Sequence, residues 1–196
     1  IPIGSGLGGG SSDASATLIG LNELWDLGLT LEDLSDIAAS LGSDVPFFLR
    51  GGTAMVSGRG ERVYPLPPAS IDWIVVLKPS ITIENKTSTL YELLTDNDFT
   101  NGRLTRKLAA RIQQGGDVPS QLLFNVFEPA ADRAFHDMKV YRDAFNSVGA
   151  SEIRLAGSGP ALFALVAYRE AGSVMQSLLK HLHGRECYLT RSYQPE

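Results

Sequence analysis

Residues 1–18 read IPIGSGLGGGSSDASATL, and glycine occupies positions 4, 6, 8, 9 and 10 of this stretch. Glycine has no side chain to keep a ligand away from the backbone, and it tolerates the positive φ angles that turn successive N–H groups toward one point. A helix behind such a loop adds unpaired N–H donors and the positive end of its dipole. The stretch therefore predicts an anion site, and phosphate is the anion most often bound at one.

The helix behind the loop is predicted over residues 13–27, where apolar residues recur at helical spacing and a glycine follows as a stop. Its N-cap is expected at Ser11, Ser12 or Asp13, since serine and aspartate are favoured cap residues. The two serine hydroxyls also suit contact with a phosphate oxygen or a metal ion. Trp25 lies in the same apolar pattern and is expected in the core.

Other interpretations of the glycine-rich stretch fit it less well. A flexible linker does not need a capped helix immediately behind it. A Walker A loop ends in Gly-Lys-Ser or Gly-Lys-Thr, and no lysine precedes Lys78. The spacing of Gly4, Gly6 and Gly9 satisfies the dinucleotide-binding fingerprint of oxidoreductases, but no convincing ribose-binding acid follows the next predicted strand. The linker and the dinucleotide site stay open as alternatives.

The composition is that of a soluble globular protein. The 196 residues suit one ordinary domain or two small ones, and 43% of them are hydrophobic and 20% charged. The net charge of −5 comes without a basic stripe, so we expect no nucleic-acid or anionic-membrane partner. The single cysteine, Cys187, excludes an internal disulfide and fits a reducing cytoplasm. We expect it to fill space in a late strand.

The first part of the chain is predicted to continue with a helix over residues 31–41, capped by Thr30. Extended segments separated by glycine turns are expected at 45–49, 53–57 and 62–66. A domain boundary is expected after residue 68, because three prolines at 65–68 resist both helix and central strand.

The second part, residues 69–196, reads as an α+β layer sandwich in which helices cover one face of a mainly antiparallel sheet. Its strands are predicted at 73–78, 152–157, 161–167 and 186–192. Its helices are predicted near 86–95, 103–114, 130–147 and 170–183. The turn Gly-Ser-Gly-Pro joins the second and third of these strands.

Several segments together resemble the GHMP kinases, the family of galactokinase, homoserine kinase, mevalonate kinase and phosphomevalonate kinase. Residues 1–18 are similar to its second signature motif, which wraps the phosphates of ATP. LGSDVPFFLRGGTAMVSGRGERVYPL at 41–66 is similar to the stretch with the catalytic aspartate. LAGSGPALFAL at 155–165 is similar to the third motif, a glycine-rich loop against the active site. NVFEPAA at 125–131 resembles a helix-start segment of the family.

The resemblance implies a set of site residues. Asp44 would accept or orient the proton of the substrate hydroxyl, although locally it reads as a turn residue that satisfies backbone donors. Ser12 is the implied magnesium contact. A substrate or phosphate role is implied for Thr87, in a loosely matching segment, and for Gly157, Ser158 and Gly159, which alone would indicate a hairpin turn. The implied ATP-binding residues are Pro2, Gly4, Ser5, Gly6, Leu7, Gly8, Gly9, Gly10, Ser11 and Ser12.

The resemblance also implies the fold and the reaction. Residues 1–68 would be part of an N-terminal domain of the ribosomal-protein-S5-domain-2-like type, and residues 69–196 a ferredoxin-like C-terminal domain. The triple glycine before Ser-Ser-Asp-Ala is most similar to the branch of the family that acts in non-mevalonate isoprenoid synthesis. The implied reaction is phosphorylation of the 2-hydroxyl of 4-diphosphocytidyl-2-C-methyl-D-erythritol, with ATP and Mg²⁺, in the cytoplasm.

The family pattern further leads us to expect a preceding portion that carries the first motif and a catalytic lysine. We therefore expect low or no turnover from these residues alone, and an exposed apolar edge. Two alternatives stay open, a homoserine or mevalonate type of kinase and a non-catalytic nucleotide-binding module. Either a monomer or a homodimer is compatible with the sequence.

Overall fold

The computed structural model describes residues 1–69, 71, 73–81 and 84–192. The α-helices and strands of this part are α1 (Gly9–Leu24), α2 (Leu31–Leu41), α3 (Val45–Arg50), β1 (Thr53–Ser57), β2 (Arg62–Leu66), β3 (Trp73–Lys78), α4 (Lys86–Glu92), α5 (Arg103–Gln113), α6 (Glu128–Ala134), α7 (Met138–Ser147), β4 (Arg154–Leu155), β5 (Leu162–Val166), α8 (Arg169–His183) and β6 (Glu186–Thr190). None of these helices is both long and apolar enough to cross a membrane.

Two predicted elements of the first part are confirmed. Helix α2 begins with a capping box, in which Thr30 Oγ1 accepts from Asp33 N at 3.2 Å and the Asp33 carboxylate accepts from Thr30 N at 2.8 Å. Strands β1 and β2 pair antiparallel, with Val56 opposite Val63. The glycine-containing turn between them therefore closes a hairpin, as its sequence indicates.

The predicted extended segment at 45–49 is wrong, because these residues form helix α3. Pro46 lies in the first turn of this helix, where its missing N–H costs no hydrogen bond and its fixed φ suits the helix. Gly51 ends the helix at a φ of 64°, and its N–H bonds Phe47 O at 2.9 Å. A short apolar run cannot by itself distinguish a buried strand from a buried helix, because it is too short to show the period of either.

The first helix begins earlier than predicted. Helix α1 starts at Gly9 with Gly8 as its N-cap, so the N-cap expected at Ser11, Ser12 or Asp13 is wrong. Gly8 has a φ of 71°, which residues with a side chain rarely adopt. The cap position therefore lacks a side chain, and the first N–H groups of the helix have no side-chain acceptor there.

The first helix also ends earlier, at Leu24 and not at residue 27. Beyond this end, the Asn22 amide bonds both the N–H and the C=O of Leu29, at 3.0 and 3.1 Å, and holds the chain in a turn. The expectation that Trp25 is a core residue is wrong, since it is 61% exposed. Its apolar pattern ends on a surface that the described residues do not cover.

Four strands form an antiparallel sheet in the order β4-β5-β3-β6. In the centre of this sheet Val76 lies opposite Phe163 on one side and Tyr188 on the other. The helical segment between β3 and β4, and helix α8 between β5 and β6, produce the strand order of a ferredoxin-like fold. The predicted α+β class and mainly antiparallel sheet are confirmed.

The sheet separates two apolar regions. Val75 and Leu77 of β3 face the main core, which also contains buried side chains from α4, α6, α7 and α8. Val76 faces the opposite side, where Ala156, Ala161 and Leu7 pack against it. Leu7 belongs to the glycine-rich loop, so the second face of the sheet is the surface on which that loop is anchored.

Two other predictions concern the core. The helix predicted at 130–147 is two helices, α6 and α7, and the side chain of Phe135 at their junction is 1% exposed. Cys187 is confirmed as a small buried residue of the last strand, β6, and it is 1% exposed. Burial raises the pKa of its thiol, which makes the reactive thiolate rare.

We expect Phe145→Ala to lower the free energy of unfolding by about 3–5 kcal/mol, because it removes a completely buried ring from the main core. Chemical denaturation of the variant and the parent measures this loss. Val140→Ala is the matched control, since Val140 lies on the same helix but is 48% exposed. It should cost less than about 1 kcal/mol, and equal losses in the two variants would contradict this assignment of the core.

Candidate active site

The glycine-rich loop turns through three left-handed residues before helix α1 begins. Gly4, Gly6 and Gly8 have φ angles of 68°, 83° and 71°. The first helical N–H with a backbone partner behind it is that of Ser12, which bonds Gly8 O at 2.9 Å. Helix α1 has no side-chain cap and no acidic residue in its first turn. Its leading N–H groups and dipole therefore offer an anion site that neither a capping side chain nor a first-turn carboxylate occupies, although Asp13 in the next turn also lines it.

These groups line a cleft of about 490 Å³, formed by residues 1–11 and Asp13. An added Cβ at Gly4 or Gly10 would meet no atom within 4 Å, so a side chain there would extend into open space. The absence of side chains at these positions thus keeps the helix start accessible. Such a cradle fits the phosphates of a nucleotide, which need close approach to backbone N–H groups.

A second glycine-rich loop, Gly157 to Pro160, lies directly against the first. Ala161 N donates to Ser5 O at 3.0 Å, and the buried Ser5 hydroxyl donates to Pro2 O at 2.7 Å. A Cβ at Gly6 would lie 2.4 Å from Ala156 O, and one at Gly157 would lie 2.8 Å from Gly6 O. The first loop is therefore fastened to the sheet by backbone contacts, in contrast to a flexible linker.

Lys86 bridges the two loops, and no local pattern in the sequence indicates this role. Its ammonium donates to Gly4 O at 3.0 Å and also to Gly159 O. Partial burial lowers the pKa of the ammonium. The next residue, Thr87, has its Oγ1 3.3 Å from Ser158 Oγ. The structure thus brings Thr87 and the second loop together, as their shared assignment to the site requires.

Asn125 and Glu128 support the second loop from behind. The Asn125 amide donates to Leu155 O at 2.9 Å and to Gly157 O at 2.7 Å. The Glu128 carboxylate accepts from Leu155 N at 3.0 Å. The sequence marked this segment only as a helix start. Its polar side chains act on backbone about 30 residues away, and a local pattern cannot reveal such partners.

Asp44 is exposed at the N-cap of helix α3, and its side chain makes no capping hydrogen bond. The local role of a turn aspartate, which is to satisfy nearby donors, is therefore not seen for it within the described residues. Phe48, one turn further along α3, packs over the first loop, where a Cβ at Gly8 would lie 2.7 Å from Phe48 Cζ. Asp44 itself does not line the cleft.

The side chains near the cleft suit a metal ion that is held mainly by the phosphates of a bound ligand. Among the residues that the structure describes, no three His, Cys, Asp or Glu side chains come together in a metal-binding group. Ser12 lies in α1 with a half-buried side chain, and it is absent from the cleft lining. Magnesium commonly takes few protein ligands and keeps waters and phosphate oxygens, so this sparse set fits Mg²⁺ better than a metal that needs a protein cage.

Comparison with known proteins shows which families have sequences similar to this chain. The sequence profile of the GHMP kinases N terminal domain matches residues 1–52, and that of the GHMP kinases C terminal domain matches residues 100–183. The 4-diphosphocytidyl-2-C-methyl-D-erythritol kinase of Dehalococcoides mccartyi is 44% identical over 197 residues, which cover 100% of this chain and 68% of that protein. The corresponding kinase of Geobacillus kaustophilus is 36% identical over 94% of this chain and 62% of its own length.

Solved structures of kinases also superpose on this chain. A crystal structure of 4-(cytidine 5'-diphospho)-2C-methyl-D-erythritol kinase superposes with a TM-score of 0.80 at 30% identity, over 99% of this chain and 69% of the other. Homoserine kinase from Cytophaga hutchinsonii superposes with a TM-score of 0.73 at 21% identity, over 98% of this chain and 67% of the other. The second similarity shows a shared fold alone.

We expect Gly6→Ala to destabilise the protein by roughly 2–5 kcal/mol, because the added methyl group meets backbone atoms of the second loop at a positive φ. Thermal and chemical denaturation measure the loss. Gly20→Ala is the control: Gly20 lies inside helix α1 with nothing within 4 Å of an added Cβ, so alanine should stabilise by up to about 1 kcal/mol. A fully stable Gly6→Ala protein would argue against the contact between the loops.

Proposed function

Because this chain belongs to the 4-diphosphocytidyl-2-C-methyl-D-erythritol kinases of the GHMP kinase family, we propose that its glycine-lined cleft binds the phosphates of ATP for transfer of the γ-phosphoryl group. The acceptor is the 2-hydroxyl of 4-diphosphocytidyl-2-C-methyl-D-erythritol, and the products are its 2-phosphate and ADP. This is a step toward isoprenoid precursors by the non-mevalonate route. The observation that carries the assignment is the uncapped start of α1, which opens into a cleft lined by residues 1–11 and Asp13.

The start of helix α1 binds and orients the triphosphate. Phosphoryl transfer requires chiefly alignment and stabilisation of the charge on the phosphate oxygens. Backbone N–H groups that are already fixed by the fold supply both without reorganisation. Gly4 and Gly10 allow close approach, and the contact of Gly6 with the second loop keeps the donors in place. We assign phosphate binding to Pro2 and to the run from Gly4 to Ser12.

Asp44 is proposed to accept the proton of the 2-hydroxyl as that oxygen attacks the γ-phosphorus. The oxygen–phosphorus bond forms, the bond to the leaving ADP breaks, and the hydroxyl proton moves to the carboxylate. Support comes from an exposed carboxylate without a capping bond, on the helix whose Phe48 packs against the phosphate loop. A residue required only for the turn would be expected to bond its neighbours.

A magnesium ion, when bound with ATP, neutralises charge on the phosphate oxygens. Ser12 is the proposed protein contact, and its hydroxyl would leave most positions of the ion to phosphates and water. We propose that the substrate and the transferred group are bordered by Thr87, Gly157, Ser158 and Gly159.

The cytoplasm is the proposed compartment, since the only cysteine is buried and no disulfide is needed. A boundary between two domains at residue 68 is part of the same proposal.

The test of this function is a substrate panel on the complete enzyme, which includes the preceding portion that the family pattern leads us to expect, assayed by ADP release and by mass spectrometry of the product. We expect phosphorylation of 4-diphosphocytidyl-2-C-methyl-D-erythritol and none of homoserine or mevalonate. ATP binding is measured in parallel by calorimetry, which reports on the phosphate site without requiring turnover. Phosphorylation of homoserine or mevalonate alone would refute the proposed substrate. Saturable NAD binding without ATP binding would refute the phosphate assignment.

In the complete enzyme, we expect Asp44→Asn to reduce kcat by roughly 10²–10⁴-fold, because the amide cannot accept the hydroxyl proton. The dissociation constant for ATP should stay within about twofold of the parent value, since Asp44 does not line the cleft. Asp36→Asn, an exposed position on α2, is the matched control and should leave both quantities unchanged. An Asp44→Asn protein with the parent's kcat would remove Asp44 from the reaction.

A further inference from the structure

Lys86 occupies a position that the proposed reaction has not yet used. It is the first residue of helix α4, and Asn85 before it has a φ of 51°. From there the side chain reaches across to carbonyl oxygens 82 and 73 residues away in the sequence, on Gly4 and Gly159. One ammonium therefore contacts both glycine-rich loops at the place where they meet.

The charge of Lys86 has no carboxylate partner within the described part of the chain. None of the ion pairs there involves it. Its hydrogen bonds in this part of the chain go to neutral carbonyls. Burial lowers the pKa of the ammonium, and no neighbouring carboxylate offsets that effect. A half-buried cation with neutral acceptors is costly unless something anionic completes its surroundings.

The groups around this cation favour an anion. Gly4, one of its two acceptors, lines the cleft at the start of helix α1. The helix start contributes a partial positive charge and has no acidic residue in its first turn, and Asp13 in the next turn is the one acidic residue in the cleft lining. An ammonium has three N–H donors, and the two loop carbonyls occupy two of them. The third has no acceptor among the described residues, and Lys86 reaches the cleft through Gly4 without lining it itself.

We propose that Lys86 is a phosphate-contacting cation of this site, which fastens the two loops with two N–H donors and offers the third to the triphosphate of the nucleotide. This inference rests on the proposed function, because it takes the ligand of the cleft to be ATP. The same side chain then couples loop position to phosphate binding. The anion completes the surroundings of the ammonium, and the ammonium holds the loops that bind the anion.

The experiment compares Lys86→Met and Lys86→Arg with the parent, and the control is Lys139→Met. Methionine is an unbranched side chain one atom shorter than lysine, without charge or N–H donors, whereas arginine keeps the charge and the donors. Lys139 is exposed on α7 and pairs with Asp143, so its variant loses the same charge away from the loops. Calorimetry gives the dissociation constants of ATP, ADP and inorganic tripolyphosphate at several salt concentrations, and thermal unfolding is measured for each protein.

We expect Lys86→Met to weaken ATP and tripolyphosphate binding roughly 10- to 100-fold, ADP binding less, and to reduce the salt dependence of all three. Lys86→Arg should recover most of the affinity, and Lys139→Met should match the parent within about twofold.

Equal weakening of ATP binding and ADP binding, with unchanged salt dependence, would show that Lys86 only holds the two loops together, and it would overturn the proposal. So would unchanged affinity in a folded Lys86→Met protein. If the parent binds neither ATP nor tripolyphosphate, the proposed function fails, and the inference with it. Lys86→Arg decides the outcome if Lys86→Met alone fails to fold. In that case, an ATP affinity of Lys86→Arg that stays constant as the salt concentration rises overturns the inference.

Discussion

The contact between the two glycine-rich loops is the constraint on which the rest of the site depends. The backbones approach so closely that neither Gly6 nor Gly157 has room for a methyl group. A hydrogen bond from Ala161 N to Ser5 O fixes how the loops are aligned. The first loop leads directly into α1 and the second joins β4 to β5, so this contact sets the position of the helix start relative to the sheet. The unpaired N–H groups at the start of α1 are thereby held in a fixed position against the core.

The electrostatic character of the cleft follows from that placement. The N-cap of α1 is a glycine, and its first turn has no acid, so the dipole and the leading N–H groups are available to a ligand. A serine or aspartate cap would have stabilised the helix by occupying these donors. The chain thus forgoes local helix stability at the position where phosphate recognition needs free donors, and Leu7 and the second loop supply the anchoring instead.

Support for the site comes from side chains that are distant in sequence. Lys86 contacts Gly4 and Gly159, and Asn125 holds the carbonyls of Leu155 and Gly157. Neither residue belongs to a glycine-rich motif, and neither has a spacing that predicts its role. Their function exists only because the ferredoxin-like sheet brings the ends of β4 and β5 against the loop that precedes α1. A polar residue at such a junction acts on backbone rather than on side chains, which leaves no paired signal in the sequence.

The sequence by itself determined what local chemistry dictates: the positive φ angles of the glycine loop, the capping box at Thr30, the hairpin of β1 and β2, and the buried strand β3. It also indicated an anion site and, through its motifs, a kinase family. Only the tertiary structure decided that residues 45–50 are a helix, that α1 begins at Gly9, and that Lys86 joins two loops. The reason is physical. A residue's neighbours along the chain fix its preferred dihedral angles, whereas burial and contacts more than 70 residues apart are settled only when the layers pack.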